Sequence, residues 1–379
     1  MTQPIYLDYN ATTPIDPAVA DAMEPYLREH FGNPSSDHVY GYRARSAVND
    51  ARERLAALLQ VEPDEVVFTG GGSEANNLAI KGIAYTRRDR GNHIITSAVE
   101  HPAVINTLHY LQQEGYRVTV LPVDPNGQVD VGQVADAITP ETILISIMHA
   151  NNEVGTTQPI RAIAAIAHAR NVLVHTDAAQ SVGKIPVVVP DLGADLLTVA
   201  GHKLYAPKGV GTLIVRRGLR LEPLIHGAGH EGGYRAGTEN VPYLVGLGQA
   251  ATLAASRLPE YQQRVGALRD ALHHRILEGI PSALLNGHPV ERLPNTLNMS
   301  FPGVNAGALL AAIRDQVACS TGSACHAGHA SPSGVLLAMG RDEGLASAAL
   351  RLSLGWGTTM DEVRTAAAAI VDRERQLAR

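Results

Sequence analysis

Two cysteines in 379 residues are too few for a disulfide framework, so the chain is expected in a reducing compartment and attention turns to what Cys319 and Cys325 do. Neither sign of charge dominates: 31 basic and 37 acidic residues give a net charge of -6 without a polybasic stripe, which excludes a non-specific nucleic-acid binder. No run reaches the roughly 18 apolar residues of a membrane span, and the start, MTQPIYLDYNATTPIDP, lacks the basic and apolar regions of a leader. The expectation is a soluble, cytoplasmic protein with no membrane partner. Aromatic residues are scarce at 4%, yet 45% hydrophobic and 18% charged residues are ordinary globular usage and exclude disorder and fibrous repeats. The length suits two domains, or one with a lobe.

What is plentiful is Gly (36) and His (16), together with short β-branched runs. Val66–Thr69, His93–Ser97, Val118–Val123, Thr142–His149, Val172–Thr176, Leu196–Ala200 and Gly211–Val215 read as buried strands. Between them, Ala47–Gln60, Ser73–Tyr85, Pro102–Glu114 and Pro159–Arg170 carry apolar residues at helical spacing. This alternation predicts an α/β fold with a mainly parallel sheet and ligands at the carboxyl ends of its strands. After about residue 245, a helical stretch (Gly246–Gly279), Asn295–Ser300, a Gly/Ser/His-rich loop (Ser320–Gly334), Leu350–Leu354 and a helix from Met360 read as a smaller α+β unit.

Three segments could carry chemistry. Phe68-Thr69-Gly70-Gly71-Gly72-Ser73 is a strand running through three glycines into a helix, either a phosphate cradle or a turn that Ser73 merely caps. His175-Thr176-Asp177 ends a buried strand on a carboxylate, which could hold a protonated ring nitrogen or serve as a helix cap. Ala200-Gly201-His202-Lys203 follows another, and a Lys there either reaches the surface or uses its amine. A phosphate cradle, an Asp for a pyridinium nitrogen and a Lys able to form a Schiff base are together the parts a pyridoxal phosphate site requires.

The sequence resembles the cysteine desulfurases, fold-type I pyridoxal phosphate enzymes of the class V aminotransferase superfamily, over essentially its whole length. The likeness is carried by Tyr6–Pro14, Gly32–Ser36, the Gly-rich turn with Asn76-Asn77, Glu100-His101, Met148–Gly155, the Asp177 and Lys203 segments, Arg235–Asn240 and Ser320–Cys325. The resemblance implies a seven-stranded, mainly parallel sheet in a large domain (12–250) and a small domain (1–11 with 251–379) bearing the catalytic loop. It implies that Lys203 binds the cofactor covalently, Asp177 pairs with the ring nitrogen, His101 stacks on the ring and acts as acid or base, and Asn152 and Gln180 contact the ring hydroxyl. Gly72, Ser73, His202 and Thr238 bind the phosphate, Thr238 reaching across a homodimer. Arg351, with Asn152, grips the carboxylate of L-cysteine, and Cys325 accepts its sulfur for an iron–sulfur scaffold or another acceptor protein.

Several positions depart from the family pattern, Gly233–Ala236 and Ala206 only mildly and in loops. Ala200 stands where many relatives have Ser, leaving only backbone contact with the phosphate, and Trp356-Gly357-Thr358 replaces a common Arg-Phe-Thr. Cys325 and His329 have a Cys-x-x-x-His spacing but fall short of a structural zinc set, and no metal is expected. A free Cys is usually inert in a core, which is the reading for Cys319, whereas a Gly-rich loop leaves Cys325 accessible. A selenocysteine lyase, an aminotransferase or kynureninase-like enzyme, and a non-catalytic assembly scaffold are the competing functions.

Overall fold

A computed structural model describes residues 3–321 and 332–378. An amino-terminal strand β1 (Ile5–Tyr6) precedes seven strands that form the central sheet: β2 (Val66–Thr69), β3 (His93–Ser97), β4 (Arg117–Leu121), β5 (Thr142–Ser146), β6 (Leu173–Asp177), β7 (Leu196–Ala200) and β8 (Gly211–Val215). Their order across the sheet is β2-β8-β7-β6-β5-β3-β4. All neighbours run parallel except β8, which is antiparallel to both β2 and β7. Two reversals leave β2 parallel to β7, so the carboxyl ends of β2, β3, β5, β6 and β7 open on one edge. Strand order turns back between β3 and β5, the switch point where open α/β sheets leave a crevice.

Apart from the edge strand β4 both faces of the sheet are covered, which is why its other strands are buried at every position rather than at alternate ones. Leu196 and Leu213 point to the face packed by the helices Gly72–Thr86 and Pro102–Gln113, with Ile80, Leu108 and Leu111. Their neighbours Leu197 and Ile214 point to the opposite face, against Leu55 of the helix Val39–Leu59 and Leu247 of Val241–Gly279. The helix at Val39 begins eight residues before the apolar spacing at Ala47, because its first turns expose Val39, Tyr40 and Tyr42 while the His38 ring accepts the Gly41 N–H (3.3 Å).

A second core lies beyond the sheet. Strands β9 (Leu284–Asn286), β10 (Thr296–Ser300) and β12 (Ala349–Ser353) form an antiparallel sheet in the order β12-β10-β9, and β11 (Val317–Ala318) pairs with β1 in parallel. Leu297, Met299, Leu350 and Leu352 pack with Leu309 and with Ile370 of the helix Met360–Leu377. Leu7 joins this core, and so does the distal half of the 39-residue helix Val241–Gly279, through Val265, Leu272 and Ile276. That helix therefore belongs to both cores.

The sheet edge that opens the crevice depends on one small residue. Gly211 starts β8 opposite Thr69 and Ala200, and a Cβ there would stand 2.7 Å from the Cα and carbonyl carbon of Gly71. Gly211→Val is expected to lower stability by about 1–3 kcal/mol in urea unfolding through overpacking against backbone. Gly229→Ala, where a Cβ meets nothing within 4 Å, is the neutral control.

Candidate active site

The Gly-rich turn after β2 is shaped to leave a helix end open. Gly71 has φ 146° and ψ 178°, a conformation that side chains disfavour, and it is the N-cap of the helix Gly72–Thr86 with no side-chain capping bond. Ser73 lies inside the first turn, so the alternative in which it caps the helix does not hold. A Cβ on Gly72 would come within 3.2 Å of the Ala200 Cβ, so turn and strand end pack closely. Glu74 is turned back on its own turn: it accepts the Gly70 N–H (2.9 Å) and pairs with Arg235 (2.9 Å), which offsets its charge beside this anion-attracting helix end.

Asp177 closes β6 at 7% exposure. Its Oδ1 accepts the Ala179 N–H (2.9 Å) and its Oδ2 accepts from Asn76 Nδ2 (2.7 Å), so two donors set the carboxylate plane. No helix directly follows Asp177, so the helix-cap alternative does not hold: its bond to Ala179 closes a turn, and the carboxylate lines the site's cavity. Behind it, His175 bridges Ser146 (2.8 Å) and Thr198 (3.1 Å) across three strands, and burial pushes its pKa down to about 4. His101 caps the helix Pro102–Gln113, its Nδ1 accepting the Ala103 N–H (3.1 Å), which puts the proton of the neutral ring on Nε2. Burial lowers its pKa, with Asp177 opposing and Lys203 adding to the shift. Glu100 ties β3 to β5 by accepting from Ser97 Oγ (2.5 Å) and Met148 N (3.0 Å), and burial raises its carboxyl to about 8.

Lys203 follows β7 in a short 3-10 turn, and its amine donates to the carbonyls of Asn10 and Ala11 (2.6 Å to the latter). Arg351 on β12 is 2% exposed; its guanidinium donates to Asp8 Oδ1 (2.8 Å) and to the Asn152 carbonyl (3.3 Å), and its Nε has no acceptor. Asn10, Gly72, Ser73, Asn76, His101 and Asn152 line one cavity of about 1080 Å³, together with Asp177, Gln180, Ala200, His202, Lys203 and Arg351.

The chain matches the model of the family "Aminotransferase class-V" over residues 5–365. It belongs to the class-V aminotransferases. It is 45% identical over 364 residues to the cysteine desulfurase IscS of Dictyoglomus turgidum, spanning 96% of this chain and 92% of that protein. Among solved structures, a NifS-like protein superposes with TM-score 0.92 at 36% identity over all of both chains. One described as SspA in complex with cysteine does so with TM-score 0.83 at 39% identity, over 93% of this chain and 99% of that one. The class-V fold accounts for the predominantly parallel sheet and for the open edge on which these residues meet.

Ten of the residues expected in the site, Gly72, Ser73, His101, Asn152, Asp177, Gln180, Ala200, His202, Lys203 and Arg351, line the same cavity of this class-V aminotransferase. Thr238 does not; it is exposed on a loop held to its own chain's cradle, where Glu231 accepts the Phe68 N–H (2.8 Å) and pairs with Arg52 (2.8 Å). Cys325 lies outside the described residues, as does the Cys325–His329 spacing. Cys319 directly follows β11 and packs on the second core, and burial, with Asp8 nearby, raises its thiol to about 12. Among the described residues, no group of three or more His, Cys, Asp and Glu is placed to hold a metal, and no helix is long and apolar enough to cross a membrane.

The sequence reading passed over Asn10, Asn76 and Glu100 as individual contributors, although all three stand in motifs quoted for the family. Nothing in residue type marks them; what matters is that each is buried (1%, 1% and 8% exposed) and lines the crevice.

His149 and His175 both have pKa values pushed by burial to about 4. Unfolded imidazoles protonate near 6.5, so between about pH 6.5 and 4 the unfolded chain binds more protons and these groups make stability fall with falling pH. Glu100 acts oppositely from 4.5 to about 8, where the folded carboxyl keeps its proton and stability falls as pH rises. His175→Gln is expected to reduce the acid-side contribution by up to about 2 kcal/mol between pH 7 and pH 5, seen as a smaller urea-midpoint change than in wild type.

Proposed function

We propose that this chain is a pyridoxal phosphate-dependent cysteine desulfurase, converting L-cysteine to L-alanine and passing the sulfur to Cys325 as a persulfide. The observation that carries the reading is the convergence of a Lys amine, a fixed Asp carboxylate and an uncapped helix N-terminus on one cavity, with a buried arginine beside them. Each part of the cofactor finds a fitting group. The open N–H groups at Gly72 and Ser73, with His202, suit the phosphate; Asp177, oriented by Asn76, suits a protonated ring nitrogen; Asn152 and Gln180 suit the ring hydroxyl; Ala200 supplies a small backbone wall. When bound, pyridoxal phosphate supplies an electron sink for the substrate Cα.

The chain's own residues do the rest. Arg351 binds the substrate carboxylate with its guanidinium, which Asp8 holds in place so that it cannot turn away from the cavity. Asn152, whose carbonyl Arg351 already engages, lies at the same end. Lys203, held by two carbonyls on the amino-terminal segment, takes the Cα proton. His101 is kept neutral by burial with its proton on Nε2, so it can give that proton to the reacting substrate rather than sit as a solvated cation. The Cys325 thiolate attacks the substrate sulfur: an S–S bond forms, the Cβ–S bond breaks with its electron pair left on carbon, Cβ takes a proton to become the methyl group of alanine, and Lys203 returns its proton to Cα.

An acceptor protein, an iron–sulfur scaffold or another, takes the sulfur from Cys325. A homodimer is supported by Thr238 lying exposed outside its own cavity and by the exposed aromatic patch of Phe31 stacked on Tyr40 (5.5 Å) with Tyr42 nearby. A division into a large domain (12–250) and a small one (1–11 with 251–379) follows the two cores, with Leu7 in the second. Cytoplasmic location rests on the low cysteine content.

Incubation with L-cysteine is expected to yield alanine and, by mass spectrometry, a reducible extra sulfur on Cys325. No alanine, or selenocysteine as the sole substrate turned over, would refute the assignment. Cys325→Ala should keep the visible cofactor band and lose desulfuration, whereas Lys203→Ala should lose the band that borohydride traps in wild type. Arg351→Gln is expected to raise KM for cysteine by about 100-fold, the loss of a buried charge-assisted contact, while cofactor uptake persists.

A further inference from the structure

Lys184 is a buried lysine that the proposed reaction does not use. It follows Gln180 by four residues and is 2% exposed, outside the lining of the main cavity. Its Nζ donates to Gln180 Oε1 (2.8 Å) and Asn10 Oδ1 (3.3 Å), while Gln180 Nε2 donates to the Asn10 carbonyl (3.0 Å). Three side chains and one carbonyl thus close a ring of hydrogen bonds, and the same Asn10 carbonyl receives the Lys203 amine.

The protonation state of Lys184 follows from counting donors. Among the described residues, no carboxylate pairs with it; the charged groups facing it are Lys203 from the turn after β7 and Arg351 from β12, both cationic. On another side, a cavity of about 30 Å³ separates it from Tyr205, Arg257 and Tyr261. An ammonium has three N–H donors for two protein acceptors here, whereas a neutral amine has two donors for the same two. Burial and the two neighbouring cations push its pKa far down in the same sense.

We infer that Lys184, as an uncharged amine behind the pocket wall, is the positioning residue that fixes the Gln180 amide with its oxygen turned away from Asn10 and its N–H groups available to Asn10 and the cavity. A flipped amide would set Gln180 Oε1 against the Asn10 carbonyl, two acceptors face to face, and forgo the Lys184 donor. The consequence rests on the proposed pyridoxal phosphate site: Gln180 presents a donor, not an acceptor, to the ring hydroxyl.

The test uses holoenzyme carrying Lys184→Met, Gln180→Met or both, reading the pH titration of the visible cofactor band beside kcat and KM. Each single variant is expected to move the titration midpoint in the same direction by about one pH unit, the scale of one lost hydrogen bond. The double variant should move it no further than the singles, and Lys184→Gln, which restores a donor, should recover at least half the shift. Additive shifts, or an unmoved midpoint in Lys184→Met, overturn the proposal. If neither Lys184→Met nor Lys184→Gln melts cooperatively, Lys184 serves folding and the positioning role is rejected. A wild type without a visible band removes the pyridoxal phosphate reading and this proposal with it, whereas a normal wild-type band with unchanged variants removes this proposal alone.

Discussion

The site depends on Asn10, a residue 1% exposed where the amino-terminal segment passes between the two cores. Its backbone N–H donates to Ser353 Oγ (2.9 Å) and its side-chain amide donates to Thr296 Oγ1 (2.8 Å) and the Asn152 carbonyl (3.1 Å). Its Oδ1 accepts from Asn295 (2.9 Å) and Lys184, and its carbonyl accepts from Gln180 and Lys203. One buried amide thus fastens β10 and β12 to the turns after β6 and β7. Every polar atom of Asn10 has a protein partner, so moving either core leaves a buried group unpaired, which is costlier than the bond itself is stabilising.

Around that joint the pocket separates its charges by position. The anion-attracting helix end lies after β2, the fixed carboxylate after β6, the amine after β7 and the guanidinium on β12 of the second core. Imidazoles in this setting stay uncharged because burial outweighs nearby carboxylate attraction, as His101 beside Asp177 illustrates.

Much of this was legible from sequence because the chemistry sits at strand ends, and strand ends are marked by abrupt changes in residue type. Gly70–Gly72, Asp177 and Lys203 each terminate an apolar run, and each stands where the run predicted. Less legible were residues whose role is set by tertiary neighbours: Asn76 is an ordinary helix position until β6 places Asp177 against it, and nothing in its residue type marks Lys184 as buried, its amine held by Asn10 and Gln180. Arg351 was readable only through resemblance, since on periodicity a cation inside β12 contradicts its buried strand; Asp8, from 343 residues away, is what resolves the conflict. The early start of the helix at Val39 was hidden because its first turns bury only the small residues Gly41 and Ala44.

The 39-residue helix Val241–Gly279, about 58 Å long at 1.5 Å per residue, contributes side chains to both cores. It works as the beam of a caliper. One jaw carries Lys203 and the other Arg351, and Pro259 interrupts the hydrogen-bond ladder of the beam between them. The spacing of that amine and that guanidinium is thus set by how one helix seats its two halves, on either side of the point where a main-chain hydrogen bond is missing.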